Sequence, residues 1–138
     1  MSEQVKFAVT QADYTIQVRV TRETKDLLIE IIGGDVPHYG VVTTIQPDGN
    51  TQTISLLSRP GHVHQEGVLT RQMAKTILPA LTGNAIIVSG MHVNDINDKQ
   101  MKAAIPMTVE LGRKVKDWLD KNPPKEPQVV YAPSRRKR

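Results

Sequence analysis

The chain has no cysteine. That absence removes disulfides, thiolate metal sites and a cysteine nucleophile, and it fits a reducing, cytoplasmic setting. Aromatic side chains are scarce, with one tryptophan, one phenylalanine and three tyrosines. A broad ring-stacking surface for single-stranded nucleic acid is therefore not expected. No apolar run reaches the length of a membrane span, so no membrane partner is expected. The opening residues MSEQVKFAVTQADY lack a basic stretch followed by an apolar one, so no secretory leader is expected. There is no GxGxxG turn, no Walker loop and no nucleophile elbow. Charge of one sign is missing too. The net charge of +4 equals the charge of Arg135-Arg136-Lys137-Arg138, and without that tetrapeptide 14 basic residues face 14 acidic ones. The basic balance belongs to a terminus, read here as a solvated tail and not as a nucleic-acid surface.

A length of 138 residues suits one domain with a real core. In the first half the apolar residues alternate. Val5, Phe7 and Val9 form one series, and Tyr14, Ile16, Val18 and Val20 form the next, as in strands with one buried face. Turns are expected at 11–13 and 22–25. Residues 27–32 are apolar on both faces, which suits a central strand. Residues 41–46 and 51–57 read as a hairpin around Pro47-Asp48-Gly49-Asn50. The period then changes. Leu69, Met73, Ile77 and Leu81 predict a helix over 67–81, weakened by Pro79 and followed by Gly83. Residues 85–90 read as a buried strand. Asn97 and Gln100 resemble a capping box. After them Met101, Ile105, Val109, Gly112, Val115 and Leu119 are expected to mark the inner face of a long helix, kinked or split at Pro106 and stopped by Pro123-Pro124. Strands first, then helices, predict an α+β fold: a mostly antiparallel sheet with two main helices packed on one face. The expected division is a single domain over 1–122 and a proline-rich, basic tail over 123–138.

All four histidines sit in three connections or strand ends: GGDVPHYG (33–40), RPGHVHQEG (59–67) and SGMHVND (89–95). In the first, Gly33 and Gly34 permit a close approach by an anion or a neighbouring chain. Asp35 can bond a turn amide or orient a histidine, and His38 is either a site residue or a half-buried loop residue. In the second, His62 and His64 share a face with metal-ligand spacing, and Arg59 adds a phosphate fork; exposed loop histidines are the bland reading. In the third, His92 shares a face with Ile86 and Val88, Asn94 follows, and Gly90 admits a close neighbour; a satisfied histidine at a strand end is the bland reading. Together the three connections suggest a polar pocket for an anionic or heteroaromatic ligand. No serine or tyrosine is evidently poised as a nucleophile, so no catalytic residue is assigned.

The segments GGDVPHYGVVTT and GHVHQEGVLTRQMAKTILPALTGNAIIVSGMHVNDINDKQM resemble the small D subunit of gallate decarboxylase systems, a chaperone-like family for prenylated flavin mononucleotide. The resemblance runs from about Tyr14 to Trp118 and leaves out the tail. It implies a non-catalytic accessory protein, with prenylated FMN or FMN as cofactor. It also implies a UbiD-type decarboxylase of gallate or hydroxybenzoate as the large partner. Gly33, Gly34, Arg59 and Arg71 are then candidates for the phosphate. Asp35, His38, His62, His64, His92 and Asn94 are candidates for polar contacts, and Tyr39 for stacking on the ring. Two other readings stay open: a metal-dependent enzyme built on His38, His62, His64 and His92, and a decarboxylase subunit that holds no cofactor. A homodimer or higher oligomer is expected, because two helices leave one sheet face uncovered.

Overall fold

A computed structural model describes residues 2–59, 62–63 and 67–133, with the side chains of 58, 59, 62 and 63 excepted. The alternating segments at the N-terminus form two long strands, β1 (Ser2–Gln11) and β2 (Tyr14–Glu23). They are joined by a two-residue turn in which Ala12 and Asp13 both take positive φ, the geometry that matches strand twist. A second short turn, with Thr24 at φ 58°, leads to β3 (Asp26–Gly34). β4 (Val41–Ile45) and β5 (Thr51–Ser55) are the expected hairpin, with Gly49 at φ 92° in its turn. A small ribbon, β6 (Leu57–Arg59) and β7 (His62–Val63), precedes the first helix.

That helix, α1 (Gly67–Ile77), gives way to a 3-10 turn over Leu78–Ala80, because Pro79 cannot donate to an α-helical ladder. β8 (Ala85–His92) follows, then α2 (Asp98–Lys121). The Asn97 side chain accepts from the Gln100 amide, and the Gln100 side chain accepts from the Asn97 amide, so the capping box is complete. One helix runs through Pro106, so the expected alternative of two abutting helices does not occur. Pro106 lies on the exposed side, so the carbonyl it leaves without a donor faces water.

The main sheet has the order β1-β2-β3-β8-β4-β5. Every neighbouring pair is antiparallel except β3 with β8, which the crossover through α1 makes parallel. This is the α+β architecture. α2 lies over β1 and β2, α1 lies over β4 and β8, and the helices pack on each other. The core fills the space between this helical layer and one sheet face. Ile16, Val18, Ile29, Ile31 and Ile87 meet Met73, Ile77, Met107, Leu111 and Val115, all fully buried. Met101 and Ile105, expected on the inner face of α2, are 58% and 46% exposed, and the core positions are Met107, Leu111, Val115 and Leu119. Ile105 stands about a third of a turn round the helix from Leu111, outside the arc that meets the sheet.

Candidate functional site

Two of the three histidine connections converge at the end of the parallel pair β3 and β8, where Gly34 is in register with His92. The glycines there are demanded by packing. A Cβ on Gly33 would strike the Thr15 carbonyl oxygen, and one on Gly34, whose φ is +77°, would strike the His92 carbonyl. A Cβ on Gly90 would strike the carbonyl of His38, so the 35–40 loop crosses β8 directly above Gly90. The amides of Asp35 and Val36 donate to the His92 carbonyl, at 2.6 and 3.1 Å, and those of His38 and Gly40 donate to the Gly90 and Ser89 carbonyls. These four amides are thus spent on the strand beneath the loop, and the glycines give no separate support to a phosphate cradle.

The side chains of this end have partners of their own. Asp35 Oδ2 accepts the Asn94 amide at 2.7 Å and fixes the turn after β8. His92 Nε2 lies 3.1 Å from Asn94 Oδ1, and His38 Nδ1 lies 2.9 Å from the Val36 carbonyl. Asp35, His38, His92 and Asn94 therefore share one end of the sheet. Tyr39 leaves them. Its hydroxyl donates to Glu30 Oε1 at 2.5 Å, and Glu30 also takes two bonds of 2.8 Å from Arg19. That network lies on the sheet face opposite the helices. It holds the Glu30 carboxyl below the usual carboxylate range, first through the Arg19 bonds, and raises the Tyr39 phenol through its bond to the carboxylate. Arg71 sits on α1 with its guanidinium folded over Gly67. The side chains of Arg59 and His62, all of His64, and the Arg135–Arg138 tail lie outside the described residues. Among the described residues no three His, Asp or Glu side chains gather as a metal set.

A cavity of about 400 Å³ opens beside this sheet end, on the helical side, between the starts of α1 and α2. Tyr14, Met91, Val93, Ile96, Met101 and Ile105 line it. Met91 and Val93 flank His92 at the end of β8, so the chain there sends apolar side chains into the cavity and His92 to the other face. Tyr14 is tied by its hydroxyl to the Gln100 carbonyl at 2.9 Å, which leaves its ring as a wall. These residues were not expected as a site. The available signal was the surplus of apolar residues at 91–105, more than one helix face and one strand face can bury.

A family model described as the prenylated flavin chaperone LpdD-like domain matches residues 10–120. The chain belongs to the prenylated flavin chaperone LpdD-like family. It is also 36% identical over 125 residues to Protein LpdD of Lactiplantibacillus plantarum, an alignment that covers 91% of this chain and 92% of that protein. Among solved structures it resembles a chain from a chaperone complex for yeast 20S proteasome assembly, with a TM-score of 0.50 and 13% identity, covering 87% of this chain and 96% of that one. At that identity the likeness concerns the fold. The matched span of the LpdD-like domain takes in every element from β2 to α2, and with them both the sheet end and the cavity.

Proposed function

We propose that this chain is a non-catalytic accessory protein that holds a flavin nucleotide, prenylated FMN or FMN, and keeps or delivers it for a UbiD-type aromatic acid decarboxylase. The observation that carries the reading is the apolar cavity in a chain of this family. A flavin offers such a cavity a flat apolar ring system, and its charged phosphate arm calls for a cation at the cavity's edge. A cavity of about 400 Å³ is within the range that takes a molecule of that size. Tyr14, Met91, Ile96, Met101 and Ile105 would hold the ring, with methionines that adapt to its added prenyl carbons. Arg71, on α1 two residues beyond Leu69 of the lining, would serve the phosphate, while His92 faces the other side of the sheet. The bound group would supply the decarboxylase's electron sink; this chain's residues would bind it and keep water from its ring.

The test is titration of the full chain with FMN and with prenylated FMN, followed by melting temperature and flavin fluorescence. Both forms are expected to raise the melting temperature in a concentration-dependent way. Met101→Asp, on a residue exposed enough to leave the fold intact, is expected to weaken binding at least tenfold. Absence of any shift with either flavin, or unchanged affinity in the variant, would overturn the assignment.

A further inference from the structure

Both helices lie on one face of the main sheet. The other face carries a continuous apolar strip. Leu28 pairs with Ile86 across β3 and β8, and Val88, Val42 and Ile54 line up across β8, β4 and β5. Ile54, Ile86 and Leu28 are 58%, 47% and 39% exposed. Three large aliphatic side chains left in water on one sheet face are unusual for a monomer. The 35–40 loop crosses this face at Gly90, and Leu28, Ile86 and Ile54 stay exposed beside it.

We infer that this face is the interface of a symmetric homodimer, two sheets stacked face to face. Charge selects the occupant. The one acidic group in the middle of the face, Glu30, is already neutralised by Arg19 and bonded by Tyr39, so the centre offers no net charge to an acidic or basic partner. A copy of the same surface meets that centre without an unpaired ion there, and Lys6, in register with Arg19, lies on the edge strand β1. The layout also fits a self-complementary interface. An aliphatic centre on β3, β8, β4 and β5 is bordered by Gln4, Gln17 and Thr21 on β1 and β2, the apolar core and polar rim of a stable contact. The six strands offer roughly 700 Å² of face at ordinary strand spacing, near the ~800 Å² per partner of a standard interface. A two-fold axis through the strip lays aliphatic rows on aliphatic rows at the ~10 Å spacing of packed sheets. The surface lies across the sheet from the flavin cavity, so its test does not depend on the flavin reading.

Light scattering on the full chain across a hundredfold concentration range tests the interface. The expected mass is twice 15.4 kDa. Ile86→Glu and, separately, Ile54→Lys are expected to raise the dimer dissociation constant at least tenfold while keeping a cooperative melt and the parent far-ultraviolet spectrum. Lys114→Glu, on the exposed side of α2, is expected to leave the mass unchanged. A monomer at every concentration overturns the inference. So does a dimer indifferent to both face variants, or one that Lys114→Glu dissociates. Loss of the cooperative melt in one face variant passes the decision to the other, and hydrogen exchange in the parent chain gives an independent reading: Leu28, Ile86 and Val42 amides must slow as concentration rises.

Discussion

Glu30 shows how much a single residue can depend on register. In sequence it is the one charge inside Leu27–Ile32, a segment otherwise apolar on both faces. In the structure it is 8% exposed, opposite Arg19 across β2 and β3. The pairing follows once the chain turns at Thr24-Lys25, which sets Glu23 against Asp26 and therefore Arg19 against Glu30. A turn bounded only as 22–25 leaves the register open by a residue, and one residue moves Glu30 to another partner. The Arg19 bonds lower the folded-state pKa of Glu30 beneath its ordinary 4.5. A carboxyl depressed in the folded state adds stability that is complete above the unfolded value and is lost as pH falls through the folded one. Glu30→Gln is therefore expected to cost about 2 kcal/mol at pH 7, less than for a fully buried pair because Arg19 keeps contact with water. The difference from the parent chain should shrink as pH is lowered from about 4.5 toward 3. Urea unfolding at pH 7, 4.5 and 3 measures it, and a difference that is constant with pH would rule out the ion pair as its source.

Elements were legible where one physical rule dominated. Period-2 alternation placed β1 and β2, Pro-Asp-Gly-Asn placed the β4–β5 turn, and Asn97 with Gln100 marked the start of α2. The arc of α2 that faces the core was only partly legible, since steps of four residues drift round a helix by about 40° each and carried the reading onto Met101 and Ile105. The same drift hid the cavity, because residues counted as core are its lining. The parallel pairing of β3 with β8 was not legible, since it depends on where α1 packs. Of the proposed site, the placing of Asp35, His38, His92 and Asn94 in neighbouring loops was foreseeable from their shared edge position; the departure of Tyr39 to Glu30 was not. Gly90 tests whether the 35–40 loop is built on β8 as described. The atom standing where its Cβ would go is a backbone carbonyl, which cannot rotate aside. Gly90→Ala is expected to destabilise by about 2–4 kcal/mol and to displace the His38 and Asp35 amides from β8. Amide exchange in residues 35–40 should accelerate more than in α2. Equal acceleration everywhere would place the damage in the global fold and not in the loop.

At the scale of the molecule, the last helix ends at Lys121, with Asn122 as its C-cap. Among the described residues no helix is long and apolar enough to cross a membrane, and the apolar interior lies between two helices and one sheet face. Arg22, 3% exposed, fastens the far corner. It takes the Glu3 carboxylate with two nitrogens, lies 4.6 Å from the Trp118 ring centre, and donates to the Asn122 carbonyl at 2.6 Å. It therefore ties the C-terminal end of α2, where the helix dipole favours a cation, to β1 and β2. Beyond that point residues 125–133 are exposed, and among the described residues the tail makes one ion pair, Lys25 with Glu126, whose carboxylate is 78% exposed. An exposed pair of this kind contributes little. A chain ending at Asn122 keeps every contact of Arg22, and its new terminal carboxylate replaces a neutral carbonyl as the acceptor. The truncated chain is expected to melt within about 5 °C of the full one, a difference of about 1 kcal/mol or less for a domain of this size. It should also keep its affinity for flavin and its assembly state, since neither the cavity nor the open sheet face includes a residue past 122. Calorimetry and light scattering on the two chains side by side decide this: a fall of more than 10 °C would make the proline-rich segment part of the domain, and a loss of dimer with an unchanged melt would place it in the interface.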